Sequence, residues 1–144
     1  MKNENIVVFS PGSTIGNFEK KEAIHFLKNI KLKYKPKKII IGVDLIKKKS
    51  VLLKAYNDKK GITARFNKNL LKRINKELKA NFDIKSFKHS AIYNKSKSRI
   101  EMHLISLKNQ NVKVPNKNFY FKKGETIHTE SSHKYSPKSF NQLA

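Results

Sequence analysis

The chain has 144 residues, enough for one domain, and its 33 lysines and arginines against 10 acidic residues give a formal net charge of +23 at pH 7. It contains no cysteine, which excludes disulfides and thiolate metal sites. It also has no run of 18 apolar residues and no signal-peptide pattern, so we expect a soluble, cytoplasmic protein that does not bind membranes.

The positive charge is carried almost entirely by lysine. Arg65, Arg73 and Arg99 are the three arginines, and the other 30 of the 33 basic residues are lysines spread over every segment. Base-edge and bidentate phosphate recognition favours the arginine fork, which this composition hardly supplies. Nucleic-acid binding is therefore an alternative interpretation, and a lysine-rich solvated surface is the preferred one.

The first elements along the chain form a strand–helix–strand pattern. Residues 5–9 predict a buried strand, and apolar residues at helical spacing from Ala23 to Ile30 predict a helix that ends before Pro36. Residues 38–44 predict a second buried strand. Near-continuous apolar strands joined by a helix are typical of a parallel βαβ unit that is covered on both faces.

The first strand runs into a turn, residues 11–17 with the sequence PGSTIGN. Open α/β sheets bind ligands beyond the carboxyl ends of their strands, and the two glycines would let the backbone approach a ligand closely. Asn17 could offer its amide to that ligand, or it could simply cap the following helix. Taken alone, the turn is equally compatible with an ordinary strand-to-helix connection that binds no ligand.

Two helices and a set of strands follow. Residues 50–56 predict a short helix, and Thr63 is a plausible N-cap for a longer one, with one face formed by Phe66, Leu70, Leu71, Ile74 and Leu78. The apolar period then shortens toward two, which predicts antiparallel strands at 90–93, 99–106, 110–114, 119–121 and 126–129. Ser136-Pro137 is a helix-start signal, with Ser at the N-cap and Pro at the first helical position.

Further short blocks follow the PGSTIGN turn in a characteristic order and spacing: 41–45 (IGVDL), 55–58 (AYND), 61–71, 73–78, 93–94, 99–104 and 124–130 (GETIHTE). Together with the turn, they resemble the SAM-dependent histidine-specific methyltransferases, which trimethylate the α-amine of histidine on the way to ergothioneine. The resemblance extends over nearly the whole chain.

The resemblance implies an α/β fold: a fragment of a Rossmann-like class I methyltransferase with an inserted α+β substrate-binding lobe. Residues 1–46 would belong to the methyltransferase core, 47–135 would form the lobe, and 136–144 would return into the core. The five glycines form no nucleotide loop. In the resembling family the cofactor loop precedes the position of Met1, so a missing N-terminal half is an expected partner.

The resemblance also implies where the amino-acid substrate binds. Asn17 matches the asparagine that holds the backbone end of histidine, and Tyr56 matches the tyrosine that hydrogen-bonds its carboxylate. Glu130 and Ser132 match the pair that satisfies the two imidazole nitrogens. His133 and Ser131 depart from the residues expected beside this pair, which affects the expected shape of the pocket but not the class of substrate.

The remaining assignments are less specific. Phe66 and Met102 match residues that line the side-chain pocket, although plain core packing accounts for them almost as well. Gly12 is a candidate neighbour of the cofactor, S-adenosylmethionine. None of the five histidines has a two-histidine metal spacing on a helix, so we expect no metal site.

The implied reaction is direct transfer of methyl from S-adenosylmethionine to the α-amine of L-histidine, driven by positioning and without a catalytic residue. Three alternatives stay open. The chain could belong to a methyltransferase of the same family for another amino acid, such as an aromatic one. It could be a silent fragment or one half of a split enzyme. It could be a lysine-rich nucleic-acid-binding protein.

Overall fold

A two-stranded parallel sheet opens the chain in the computed structural model, which describes residues 5–143. Strand β1 (Val7–Ser10) pairs with β2 (Lys38–Ile41), and helix α1 (Lys20–Tyr34) connects them. A 3₁₀ turn, Thr14–Asn17, precedes the helix. The predicted parallel strand–helix–strand arrangement is confirmed.

The expectation that both strands are buried on both faces is wrong for the described residues. Side chains alternate along each strand. Ile41 packs toward the core around Ala23, whereas Val7, Phe9 and Ile40 on the other face are 52%, 67% and 53% exposed. Helix α1 packs on one face only, so apolar periodicity predicted the strands correctly but overstated their burial. The strands are also shorter than predicted.

The described residues form two compact units. The first contains the chain up to Lys47, Asn94–Arg99 and the residues from Ser131 onward, and the second contains Lys48–Tyr93 and Ile100–Glu130. Compared with the expected lobe at 47–135, Lys47 and residues 94–99 and 131–135 lie in the first unit.

The core of the first unit forms around four buried residues, Ile15, Ala23, Tyr135 and Leu143. Helix α4 (Pro137–Asn141) closes this unit, and its predicted cap is confirmed because the Ser136 hydroxyl accepts from the Ser139 N–H at 3.0 Å. Tyr135 is fixed by backbone hydrogen bonds, its N–H donating to Asp44 and its carbonyl accepting from Ile46, both at 2.9 Å.

The second unit contains helices α2 (Lys49–Tyr56) and α3 (Ile62–Leu78). Its strands are β3 (Phe87–Asn94), β4 (Arg99–Ser106), β5 (Gln110–Val114), β6 (Lys117–Phe121) and β7 (Thr126–His133), although the ends of β3, β4 and β7 belong to the first unit. The sheet order is β3-β4-β7, and β5 and β6 form an antiparallel hairpin, as predicted. Two apolar clusters form the core, one around Ile100 and one around Phe87.

Helix α3 begins differently from the prediction. Gly61 occupies the N-cap position, and the Asp58 carboxylate accepts hydrogen bonds from the N–H groups of Ile62 and Thr63, each at 2.8 Å. Thr63 therefore lies inside the first turn and is not the cap. A carboxylate four residues before the helix can reach its free N–H groups because the Asp58–Gly61 segment folds back as a turn.

The buried face of α3 also differs from the one predicted. Leu71 is buried as expected, but Phe66, Leu70 and Leu78 are exposed, and Asn67 is buried beside Leu71. The Asn67 amide donates to the carbonyl of His103 at 3.2 Å. Hydrogen bonding thus allows a polar residue to occupy this face.

Within residues 5–143, no helix is long and apolar enough to cross a membrane.

Candidate functional site

The turn that carries Asn17 depends on Gly16. A methyl group at Gly16 would lie 2.9 Å from the backbone carbonyl oxygen of His133, closer than real Cβ atoms approach. The turn can therefore pack against this end of β7 only because residue 16 lacks a side chain. Asn17, the last residue of this turn, is exposed to solvent.

Asn17 is not the cap of helix α1. Glu19 occupies the N-cap position, and its N–H donates to the Glu22 carboxylate at 2.8 Å. The interpretation of Asn17 as a helix cap is therefore wrong, and its amide is not used to hold the helix start.

An ionic cluster of Glu19, Arg99 and His133 flanks the turn. The Arg99 side chain is 5% exposed and donates to the Glu19 carboxylate, while His133 Nε2 lies 3.8 Å from the other Glu19 oxygen. The hydrogen bond from Arg99 lowers the pKa of Glu19, and burial lowers the pKa of His133. The bond from Arg99 ties the start of α1 to the start of β4, and His133 on β7 lies beside this ion pair without a hydrogen bond from Nε2 to any described residue.

Ser132 lies on β7 and is buried in the first unit. The Lys134 ammonium donates to the Ser132 hydroxyl and to the Asp44 carboxylate, both at 2.8 Å. The N–H of Asp44 in turn donates to the Ser13 hydroxyl at 2.9 Å. Ser132 is thus linked through Lys134, Asp44 and Ser13 to the turn that carries Asn17.

Tyr56 and Met102 meet in one apolar cluster of the second unit. Met102 is buried with Leu52, Ala91 and Ile100, and Tyr56 packs against this group. The Asn57 side chain fixes the end of α2 by pairing with both backbone groups of Ala91 at 2.9 Å. The position of Tyr56 therefore follows from an anchored helix end.

Phe66 and Glu130 line one small cavity of the second unit, with a volume of about 180 Å³. Thr129 lies on the same wall and is held by a hydrogen bond from its hydroxyl to the Met102 carbonyl at 3.0 Å. Met102 itself is not among the residues that line this cavity. Ligand pockets are usually larger, about 300–1,000 Å³, so this cavity accommodates part of a small molecule.

Gly12 lies at the carboxyl end of β1 with φ at +80°, and the space beside its Cα is open. Such a position fits the close approach of a ligand to the backbone. No glycine-rich nucleotide loop is found among the described residues, so the residues present fit only the edge of a nucleotide site. Within residues 5–143, no three histidine or acidic side chains lie close enough together to hold a metal ion.

Sequence reasoning missed Lys134, Asp44 and the Glu19–Arg99–His133 cluster. Lys134 is one of 30 lysines and carries no individual signal in the sequence, and its burial depends on the tertiary fold. The one available hint was the rarity of arginine, which makes the position of Arg99 unusual.

Comparison with known proteins identifies the class. A sequence profile of the family described as histidine-specific methyltransferase, SAM-dependent, matches residues 1–144. The chain belongs to this family.

Three relatives have related names. The histidine N-alpha-methyltransferase of Mycolicibacterium smegmatis is 39% identical over 137 residues, which cover 93% of this chain and 42% of that protein. The protein of the same name from Mycobacterium tuberculosis is 39% identical over 131 residues, which cover 89% of this chain and 41% of that protein. Ergothioneine biosynthesis protein 1 of Schizosaccharomyces pombe is 27% identical over 144 residues, which cover 98% of this chain and 18% of that protein. The chain thus spans about two fifths of the mycobacterial relatives.

Proposed function

We propose that this chain forms the amino-acid-binding part of an enzyme that transfers methyl groups from S-adenosylmethionine to the α-amine of L-histidine. The observation that carries the proposal is the pair Glu130 and Ser132, two residues apart on β7, where alternation directs both side chains to the same face. A carboxylate and a hydroxyl at this spacing suit the two nitrogens of an imidazole. The family match over the whole chain supports the reaction.

We infer that the first unit is part of a Rossmann-like methyltransferase core and that the second unit is the inserted α+β substrate lobe. The parallel pairing of β1 and β2 through α1 supports the first assignment. The mixture of two helices with β3, β4, β7 and the β5–β6 hairpin supports the second. In this division the residues from Ser131 onward return to the core.

Asn17 and Tyr56 would bind the part common to all amino acids. A neutral amide can hold the amine and carboxylate without stabilising the ammonium form. This property suits methyl transfer, because the attacking amine needs a free lone pair and a nearby carboxylate would favour its protonation. The Tyr56 hydroxyl would donate to the substrate carboxylate.

Glu130 and Ser132 would select histidine, with Phe66 and Met102 as apolar walls. A side chain that offers neither an N–H nor an unprotonated nitrogen would forgo both hydrogen bonds to this pair, which favours histidine. The cavity that joins Phe66 to Glu130 supports this end of the assignment. Met102, within the core cluster, would act by shaping the wall from behind.

The methyl donor supplies an electrophilic methyl group on a sulfonium. Gly12 would allow the backbone to lie close to it. The contribution of this chain is to hold the amine in position, an effect worth up to roughly 7–11 kcal/mol in well-oriented systems. We place the enzyme in ergothioneine biosynthesis and in the cytoplasm.

We expect the isolated chain to bind S-adenosylmethionine negligibly and to methylate no histidine, because it has no nucleotide loop among its glycines. Isothermal titration calorimetry with the cofactor tests this expectation. A cofactor-binding half supplied in trans should restore activity. Micromolar cofactor binding by the chain alone would contradict the assignment of the cofactor site to the rest of the enzyme.

The specificity test compares Glu130→Ala with Asn17→Ala in the complete enzyme that carries this segment. Glu130→Ala removes a hydrogen bond to a charged group, worth about 1.5–3 kcal/mol, so histidine affinity should fall roughly 10- to 150-fold. Because the pocket becomes larger and less polar, discrimination against tryptophan should fall as well. The measurement is kcat/KM for histidine and for tryptophan.

Asn17→Ala is the matched control for this test. It alters contacts that every amino acid makes, so kcat/KM should fall by a similar factor for all substrates and their ranking should stay unchanged. If Glu130→Ala preserves the histidine-to-tryptophan ratio and Asn17→Ala shifts it, the two ends of the substrate are assigned wrongly. A preference of the unaltered enzyme for tryptophan would favour a methyltransferase for another amino acid.

A further inference from the structure

Lys134 differs from the surface lysines in being fully buried. Its side chain is 0% exposed, although it lies two residues from Ser132 on a chain whose charge is +23. Burying an ammonium is costly unless it is paired and hydrogen-bonded. Both conditions hold, because its Nζ lies 2.8 Å from the Asp44 carboxylate and 2.8 Å from the Ser132 hydroxyl.

The direction of the bond to Ser132 follows from the chemistry of the two groups. An ammonium has three donors and no acceptor, so the Ser132 oxygen must accept. The Ser132 proton is therefore directed away from Lys134. The Asp44 carboxylate also binds the ammonium, and the Asp44 N–H donates to Ser13, so these contacts hold the Lys134 donor in place.

We propose that Lys134 is a positioning residue that sets Ser132 as a hydrogen-bond donor to the unprotonated ring nitrogen of the substrate histidine. The inference rests on the proposed function. With Ser132 as donor and the Glu130 carboxylate as acceptor, the pair matches a neutral imidazole, which has one bare nitrogen and one N–H. Without Lys134, the Ser132 hydroxyl could turn and either donate or accept, and this selection would be weakened.

The test uses the complete enzyme that carries this segment and two pyrrolylalanine isomers. Each isomer replaces one ring nitrogen of histidine by C–H. The isomer that retains the N–H for Glu130 and lacks the bare nitrogen reports on the Ser132 bond. We expect the unaltered enzyme to prefer histidine over this isomer by about 3- to 10-fold in kcat/KM, the range of one neutral hydrogen bond.

Lys134→Met is expected to reduce this preference, because the Ser132 proton is no longer held toward the substrate, and Ser132→Ala is expected to reduce it to nearly 1. The double variant should show no loss of preference beyond that of Ser132→Ala, because both changes act on one interaction. Lys138→Met removes the same charge from an exposed position on α4 and should leave the preference unchanged. A purely structural role of Lys134 would lower the activity on both substrates equally.

Circular dichroism establishes which variants fold. If Lys134→Met does not fold, Lys134→Gln replaces it, since the amide keeps a polar group against Asp44 but ends one bond short of Ser132. A folded variant of either kind that keeps the full preference overturns the proposal, and so does an unchanged preference in Ser132→Ala. Failure of the unaltered enzyme to methylate histidine would instead overturn the proposed function.

Discussion

Gly16 determines how closely the turn before α1 approaches β7. We expect Gly16→Ala to destabilise the chain by about 1–3 kcal/mol, because the new methyl group would meet the His133 carbonyl at 2.9 Å and that backbone cannot move freely. Urea denaturation followed by circular dichroism measures the change. Gly42→Ala is the control and should cost less, since its nearest contact is 3.2 Å. Equal losses would contradict a specific role for Gly16.

Single residues also show how far the sequence alone could be interpreted. The six proposed substrate residues came from motif resemblance, and their roles stay predictions. The sequence could not indicate that Lys134 is buried, because a lysine has the same local signature on a surface and in a core. Its partner Asp44 is 90 residues away, whereas Ser132 is only two residues away. The ion pair with Asp44 depends on the tertiary fold.

At the level of elements, the start of α3 gives a prediction on pH. Hydrogen bonds from Thr63 and Ile62 lower the pKa of Asp58 from 3.8 to about 2. A carboxylate with a depressed pKa stabilises the fold above its unfolded pKa, and this contribution is lost as the pH falls through about 2.

Asp58→Asn should therefore lower the Tm at pH 5 and flatten its fall between pH 4 and pH 2, measured by thermal circular dichroism. Glu77→Gln is the control: it removes one exposed carboxylate from α3 and leaves the helix start intact. An Asp58→Asn curve parallel to that of the unaltered chain would show that the Asp58 carboxylate does not contribute to stability.

The elements themselves were predicted well where periodicity was strong. The parallel βαβ unit, the β5–β6 hairpin and the α4 cap follow from local signals and are confirmed. The buried face of α3 was predicted wrongly, because Asn67 is accepted in the interior by hydrogen bonding to His103. Helical periodicity counts apolar residues and cannot include a polar residue of the helix that finds its hydrogen-bond partner on a strand.

For the whole molecule, charge is the property most open to test. If the lysines are a solvated surface, duplex DNA should bind without sequence preference at roughly 10⁻⁴–10⁻⁶ M at physiological salt, and the affinity should fall steeply as salt rises. Fluorescence anisotropy over a salt series measures the affinity, and comparing duplexes of unrelated sequence tests the sequence preference. A sequence-specific nanomolar complex at physiological salt would restore the nucleic-acid interpretation.

The sequence by itself determined the family, the order of most elements and the absence of thiol chemistry, because these depend on local patterns and on composition. Only the tertiary structure decided which residues are buried. It showed that one face of β1 and β2 is exposed, that Asn17 caps no helix and that Ser132 receives a hydrogen bond from a buried ammonium. Burial and hydrogen-bond partners arise from segments far apart in the chain, and local patterns carry no information about which segments meet.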